Sequence, residues 1–150
     1  MKRTFSLLIV SLFLSATYSS DDIAIKGGTI IDVADWGKSA NDIKNAIVLI
    51  KRGRIAEVGE TDAITIAKGK KIIDASGKFI VPGLFDGFAA ATTGFADTFG
   101  WNELGEVKPG RKADILVLNK NPLENIENLK DISLLILNGD TIDREALLKK

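Results

Sequence analysis

The groups able to do chemistry in this chain are few in kind. Its 150 residues include no histidine and no cysteine. Without Cys there is no disulfide, no thiolate nucleophile and no thiolate zinc site. Without His there is no imidazole base and no ordinary zinc or iron site. Carboxylates, hydroxyls, lysines and the backbone remain. Asp86 ends an apolar stretch and is the one candidate for a residual metal ligand or base; its competing role is to cap backbone N–H groups. Asp114 follows Ala113 at a strand start, where a carboxylate satisfies loop amides. Asp140, Asp143 and Glu145 lie close enough together to suggest Ca²⁺. Their spacing lacks the alternating oxygen ligands and bidentate glutamate of a calcium loop, so a solvated surface is expected. Ser76, Thr92 and Thr93 have no His to activate them, which excludes a triad-type hydroxyl nucleophile. Gly27-Gly28 lacks the Gly-Lys-Ser/Thr end of a phosphate loop.

Composition bounds the partners. The chain is 45% hydrophobic and 27% charged, which suits one small globular domain. Twenty basic residues balance twenty acidic ones. Phosphate binding needs clustered excess Lys and Arg, so no nucleic-acid partner is expected. The short basic runs Lys51-Arg52 and Lys68 to Lys71 are expected at solvated hairpin tips. Met1 to Ser20 has the pattern of a secretory signal: Lys2 and Arg3, an apolar run from Phe5 to Leu14, then small and polar residues. The apolar run is shorter than the ~20 residues of a spanning helix. The expectation is an exported protein, periplasmic or secreted, with no stable membrane span once the leader is cut.

The remaining residues, 21–150, must supply the elements that position those groups. Ile23 to Lys26 and Thr29 to Val33 flank Gly27-Gly28, a hairpin signal because Gly accepts the positive φ of primed turns. Ala34 to Asn45 is polar and expected as a loop, with Trp36 at the core edge. Ala46 to Lys51 and Arg54 to Val58 are strands around Arg52-Gly53, the second stopped by Gly59. Thr61 to Ala67 is expected as an irregular edge. Lys71 to Ala75 and Lys78 to Val81 are strands around a Ser76-Gly77 turn. Gly94 to Trp101 has helical spacing of Phe95, Ala96 and Phe99. Pro109-Gly110 fits a type II turn. Ala113 to Leu118 is a buried strand, and Asn121 to Lys130 a helical turn folded on the sheet. Ile132 to Leu137 and Asp140 to Ile142 flank Asn138-Gly139, and Asp143 to Lys150 is a short helix. About eight short strands with one or two short helices predict a mainly β fold, a small sandwich around one core.

Two sets of motifs, in order, resemble the amidohydrolase superfamily, in the imidazolonepropionase-like and secreted prolidase-like branch. The first set, within residues 22–86, includes Gly28-Thr29-Ile30-Ile31-Asp32, Lys51-Arg52-Gly53-Arg54-Ile55, Ile73-Asp74-Ala75-Ser76-Gly77 and Val81-Pro82-Gly83-Leu84-Phe85-Asp86. The second, within 104–148, includes Gly110-Arg111-Lys112-Ala113-Asp114, Asn121-Pro122-Leu123 and Asn138-Gly139. The resemblance implies that these two ends pair into one composite sandwich, with a (β/α)₈ barrel between them. A barrel takes ~250 residues, and only Phe88 to Glu103 separates the ends, so no barrel is expected. It also implies zinc or another divalent metal held by a His-x-His pair and further barrel ligands. Those two histidine positions fall on Phe88 and Ala90, which offer no lone pair. The family chemistry is metal-dependent hydrolysis of C–N bonds. The expectation for this chain is a truncated relative with no catalytic residue, metal site or cofactor of its own. The alternative is an exported, non-catalytic interaction module. In either case the apolar segment Phe79 to Phe99 loses its barrel cover and is expected to fold over the sandwich face, to self-associate or bind a protein partner, or to stay disordered.

Overall fold

Aliphatic and β-branched runs become strands where turn residues bound them. The computed structural model describes residues 22–33, 41–83 and 103–149. Within them eight strands form one hydrogen-bonded sheet. They are β1 (Ile23–Ile30), β2 (Ile43–Lys51), β3 (Arg54–Glu60), β4 (Lys71–Asp74), β5 (Phe79–Pro82), β6 (Ile115–Leu118), β7 (Ile132–Leu137) and β8 (Asp140–Ile142). A 3₁₀ turn, Ile126–Lys130, precedes β7, and helix α1 (Arg144–Leu148) follows β8. The strand order is β3-β2-β1-β5-β6-β7-β8, with β4 beside β1 off this path. Among the described residues no helix is long and apolar enough to cross a membrane.

The sheet turns on β1. Its first half, Ile23 to Lys26, pairs in parallel with β4, and its second half, at Thr29 and Ile30, pairs in parallel with β5. Its other edge pairs antiparallel with β2, with register shifts on both sides of Gly28. Gly27-Gly28 is therefore a bulge inside one strand and not the hairpin expected from the sequence. Gly27 takes φ +88°, and the kink moves β1 from one parallel neighbour to the next. A Cβ on Gly27 would stand 2.6 Å from Ser76 Oγ, and one on Gly28 would stand 2.8 Å from Ile80 Cδ1. Both glycines are where backbone meets a packed neighbour.

Two strand ends also differ from expectation. β2 starts at Ile43 and takes in the exposed Lys44 and Asn45, the latter at φ +46° where the register with β1 shifts. β3 runs through Gly59, which pairs with Ile47, to Glu60. The Arg52-Gly53 and Asn138-Gly139 turns hold both residues at positive φ, as type I′ hairpins require. Gly110 has φ +87°, and Arg111 N–H donates to Lys108 O at 3.2 Å across the Pro109-Gly110 turn.

The two halves of the sheet enclose one core. Ile25, Val48, Ile50 and Ile55 from β1–β3 share a buried cluster with Ile80, Ile115, Val117 and Ile136 from β5–β7. The layers of the expected sandwich are thus joined through β1 into a single open sheet. A second cluster, Val81, Leu116, Leu118 and Ile31, is backed by Leu129 of the 3₁₀ turn. A third, Ala24, Ile47 and Leu49, is backed by Ile64 and Ile66 from the irregular segment after β3. Burial on both faces is why Ala46 to Ile50 and Ile115 to Leu118 are unbroken apolar runs.

The expected uncovering is corrected by the structure at Ile80 and Val81, while Phe79 is half-buried. β5 lies between β1 and β6, with Ile80 fully buried and Val81 4% exposed. The remainder of that segment, Leu84 to Phe99, lies outside the described residues, as do the leader pattern at 1–20, Trp36 and the helical pattern at 94–101.

Candidate functional site

Of the carboxylates singled out by the sequence, Asp114 and Asp143 are bound to their own neighbourhood, while Asp140 is half-buried and Glu145 exposed. Asp114 Oδ1 accepts the Asn138 N–H at 2.6 Å, so it satisfies an amide of the β7–β8 turn. Asp143 caps α1, accepting from the N–H groups of Glu145 and Ala146. Ser76 donates its hydroxyl to Asp74 Oδ1 at 2.6 Å. That bond, the Ser76 N–H and the nearby Lys26 and Lys78 hold the Asp74 carboxyl below its ordinary range. Among the described residues no three carboxylates converge in a way that could hold a metal. Asp86, Phe88, Ala90, Thr92 and Thr93 lie outside the described residues.

A concave site at the end of β1 was not foreseen from the sequence. A cavity of about 360 Å³ has an apolar wall of Ile30, Ile43, Val58 and Val107, with Asp32 and Glu106 among its polar lining residues. Its size falls in the range of small-molecule pockets, ~300–1,000 Å³. Glu106 accepts from Lys108 at 2.7 Å and from Arg111 at 2.8 Å. Burial raises its pKa, but these hydrogen bonds and charges outweigh burial and leave it below 4.5, the ordinary value. The signal was present as Glu106, Lys108 and Arg111 around Pro109-Gly110: the tight turn folds both cations back on one carboxylate. This group can orient the turn; with both of its oxygens engaged by cations it is no general base.

The Glu106 arrangement predicts a pH effect. A depressed folded pKa gives stabilisation that is full above about 4.5 and lost as pH falls through the folded value. Glu106→Gln should cost about 1 kcal/mol at neutral pH. It should also flatten the loss of melting temperature between neutral pH and about pH 3. An acid slope equal to that of the parent chain would refute the assignment.

Gly83 and Glu103 are fastened at neighbouring points of the sheet. Gly83 N–H donates to Asp114 O at 2.7 Å, and Lys112 N–H donates to Glu103 O at 2.8 Å. The Arg54 guanidinium donates to Glu103 at 2.8 Å and to Gly110 O at 3.0 Å. The Arg54–Glu103 ion pair is half-exposed and therefore weak; the backbone bonds fasten the junction. Gly83 and Glu103, the described residues on either side of 84–102, are thus both held by one short stretch, Lys112 to Asp114.

No family model matches the chain. An adenine deaminase of Moorella thermoacetica is 28% identical over 128 residues, 85% of this chain and 19% of that protein. Adenine deaminase 3 of Rhizobium meliloti is 36% identical over 73 residues, 49% of this chain and 12% of that protein. A dihydroorotase of Pelotomaculum thermopropionicum is 41% identical over 64 residues, 43% of this chain and 13% of that protein. The chain therefore spans less than a fifth of the length of these relatives. Among solved structures, molinate hydrolase is 33% identical over 55% of this chain and 18% of its own, with a TM-score of 0.38, too loose a likeness to carry weight. Through the adenine deaminases and dihydroorotases, and over the partial stretches they share with it, the chain is a relative of the amidohydrolase superfamily.

Proposed function

We propose that this chain is a non-catalytic relative of the amidohydrolases that keeps the composite β-sheet and lacks the barrel. The observation that carries the reading is the junction at Gly83 and Glu103. The sheet pairs β5 with β6, yet only residues 84–102 lie between its two ends. A (β/α)₈ barrel needs ~250 residues. The superfamily's hydrolysis of C–N bonds uses a divalent metal that lowers the pKa of bound water to ~7. The residues present do not fit that metal. The positions of the His-x-His pair are Phe88 and Ala90, and no imidazole or thiol exists anywhere in the 150 residues. The carboxylates of Asp74, Glu103, Glu106 and Asp114 are committed to Ser76, Arg54, Lys108, Arg111 or a backbone amide. Among the described residues these carboxylates are not free to carry a step of the family reaction.

The test is direct. The purified, folded chain is loaded with zinc, manganese or cobalt, dialysed and analysed for bound metal. It is then offered adenine, a cyclic amide and a dipeptide. The expected result is no stoichiometric metal and no ammonia release, ring opening or peptide cleavage. Tight zinc in an all-oxygen site together with C–N cleavage would overturn the proposal.

A further inference from the structure

We propose that Asn138 is a deamidation site silenced by the fold and released when the β7–β8 turn lifts from the β2–β3 turn. Asn138-Gly139 is the chain's single Asn-Gly pair. An Asn side chain followed by glycine has an unhindered neighbour nitrogen, so intramolecular attack meets no β-carbon. Asn138 is exposed and open to water, whereas Gly139 is buried. The Gly139 nitrogen is the nucleophile the reaction needs, and its N–H donates to Ala113 O at 3.0 Å. The Asn138 N–H is held by Asp114 at 2.6 Å. Asn138 and Gly139 also press on the other turn. A Cβ on Gly53 would stand 2.7 Å from Asn138 O and 3.0 Å from Asn138 Oδ1, and one on Gly139 would stand 2.7 Å from Gly53 Cα. The φ values of +49° and +85° are fixed by this packing. The nitrogen cannot approach the side-chain carbonyl until these contacts are given up.

The chemistry needs only water. The Gly139 nitrogen bonds to Asn138 Cγ, the Cγ–Nδ2 bond breaks, and the amide proton leaves with nitrogen as ammonia. Water then opens the cyclic imide at either carbonyl. Cleavage of the new Cγ–N bond gives aspartate at 138; cleavage of the original peptide C–N bond gives an isoaspartyl link. No atom changes oxidation state. The isoaspartyl product adds a methylene to the main chain inside a two-residue turn whose geometry is already fixed on both sides. The turn cannot then reseat against Gly53, so each opening that reacts is recorded permanently.

The full chain is incubated at neutral pH, folded and in concentrated urea. Ammonia loss and isoaspartate at Asn138 are followed by peptide mass mapping. The expected result is a folded rate at least about tenfold below the urea rate, the factor that corresponds to about 1.4 kcal/mol of local opening. Asp114→Ala, which frees the Asn138 N–H, should raise the folded rate and leave the urea rate unchanged. Equal rates in the folded and urea samples, no reaction in urea, or an Asp114→Ala folded rate equal to the parent's would each overturn the proposal.

Discussion

Gly139→Ala is expected to destabilise the fold by at least about 2 kcal/mol more than Gly69→Ala. Both glycines have positive φ, +85° and +83°, so both substitutions carry the same left-handed backbone cost, about 1–2 kcal/mol. Only their surroundings differ. A Cβ at Gly69 meets nothing within 4 Å, whereas one at Gly139 meets Gly53 Cα at 2.7 Å, Gly53 N at 3.0 Å and Ile50 Cγ2 at 3.3 Å. Backbone cannot rotate away as a side chain can. The β7–β8 turn must therefore lift, which loosens Gly139 N–H from Ala113 O and Asn138 N–H from Asp114. Thermal melts of the two variants check this. Equal losses would mean that the turn-to-turn contact contributes nothing.

Ile80→Ala is expected to cost about 2–5 kcal/mol. Ile80 is fully buried in β5, in the cluster shared by the two halves of the sheet. Truncation leaves a cavity between elements hydrogen-bonded on both sides, which limits collapse. A domain of this size has only about 5–15 kcal/mol of stability in total. The site also offers a compensating change. A Cβ on Gly28 points at Ile80 Cδ1, 2.8 Å away, and at Cγ1, 3.0 Å away. Gly28→Ala alone overpacks the bulge and should cost about 1–3 kcal/mol. In the double variant the new methyl occupies part of the vacated space. The two losses should then sum to at least about 1 kcal/mol less than additivity, read from a double-mutant cycle of urea melts. Strict additivity would show that Gly28 and Ile80 do not share a contact.

These two expectations mark where the sequence was legible and where it was not. Arg52-Gly53, Pro109-Gly110 and Asn138-Gly139 were readable because each turn type demands positive φ at a fixed position. The runs Ile47 to Ile50 and Ile115 to Leu118 announced strands buried on both faces. Gly27-Gly28 misled for a physical reason. A glycine pair signals that positive φ is needed, and says nothing about whether the chain reverses or only kinks. The deciding fact lies in Ala75, Ser76 and Ile80, far later in the chain, which pack against the bulge. Gly59 misled similarly, since its stop signal yields when a long partner such as β2 continues to offer hydrogen bonds. Of the site, Asp114 as an amide acceptor was legible from its place at a strand start. The Glu106 pair with Arg111 was signalled only by charges flanking Pro109-Gly110 and went unread, because solvated charge runs and folded-back ion pairs look alike in one dimension.

The closeness of Gly83 and Glu103 has a consequence for how freely this fold can change. Gly83 is tied to Asp114 and Glu103 to Lys112, so the length of chain between them is nearly decoupled from the sheet. Each doubling of a flexible connection adds only about 0.6 kcal/mol of closure entropy. An independently folding unit of any size could be grafted at this doorway, or excised from it, while β5 and β6 keep their ladder.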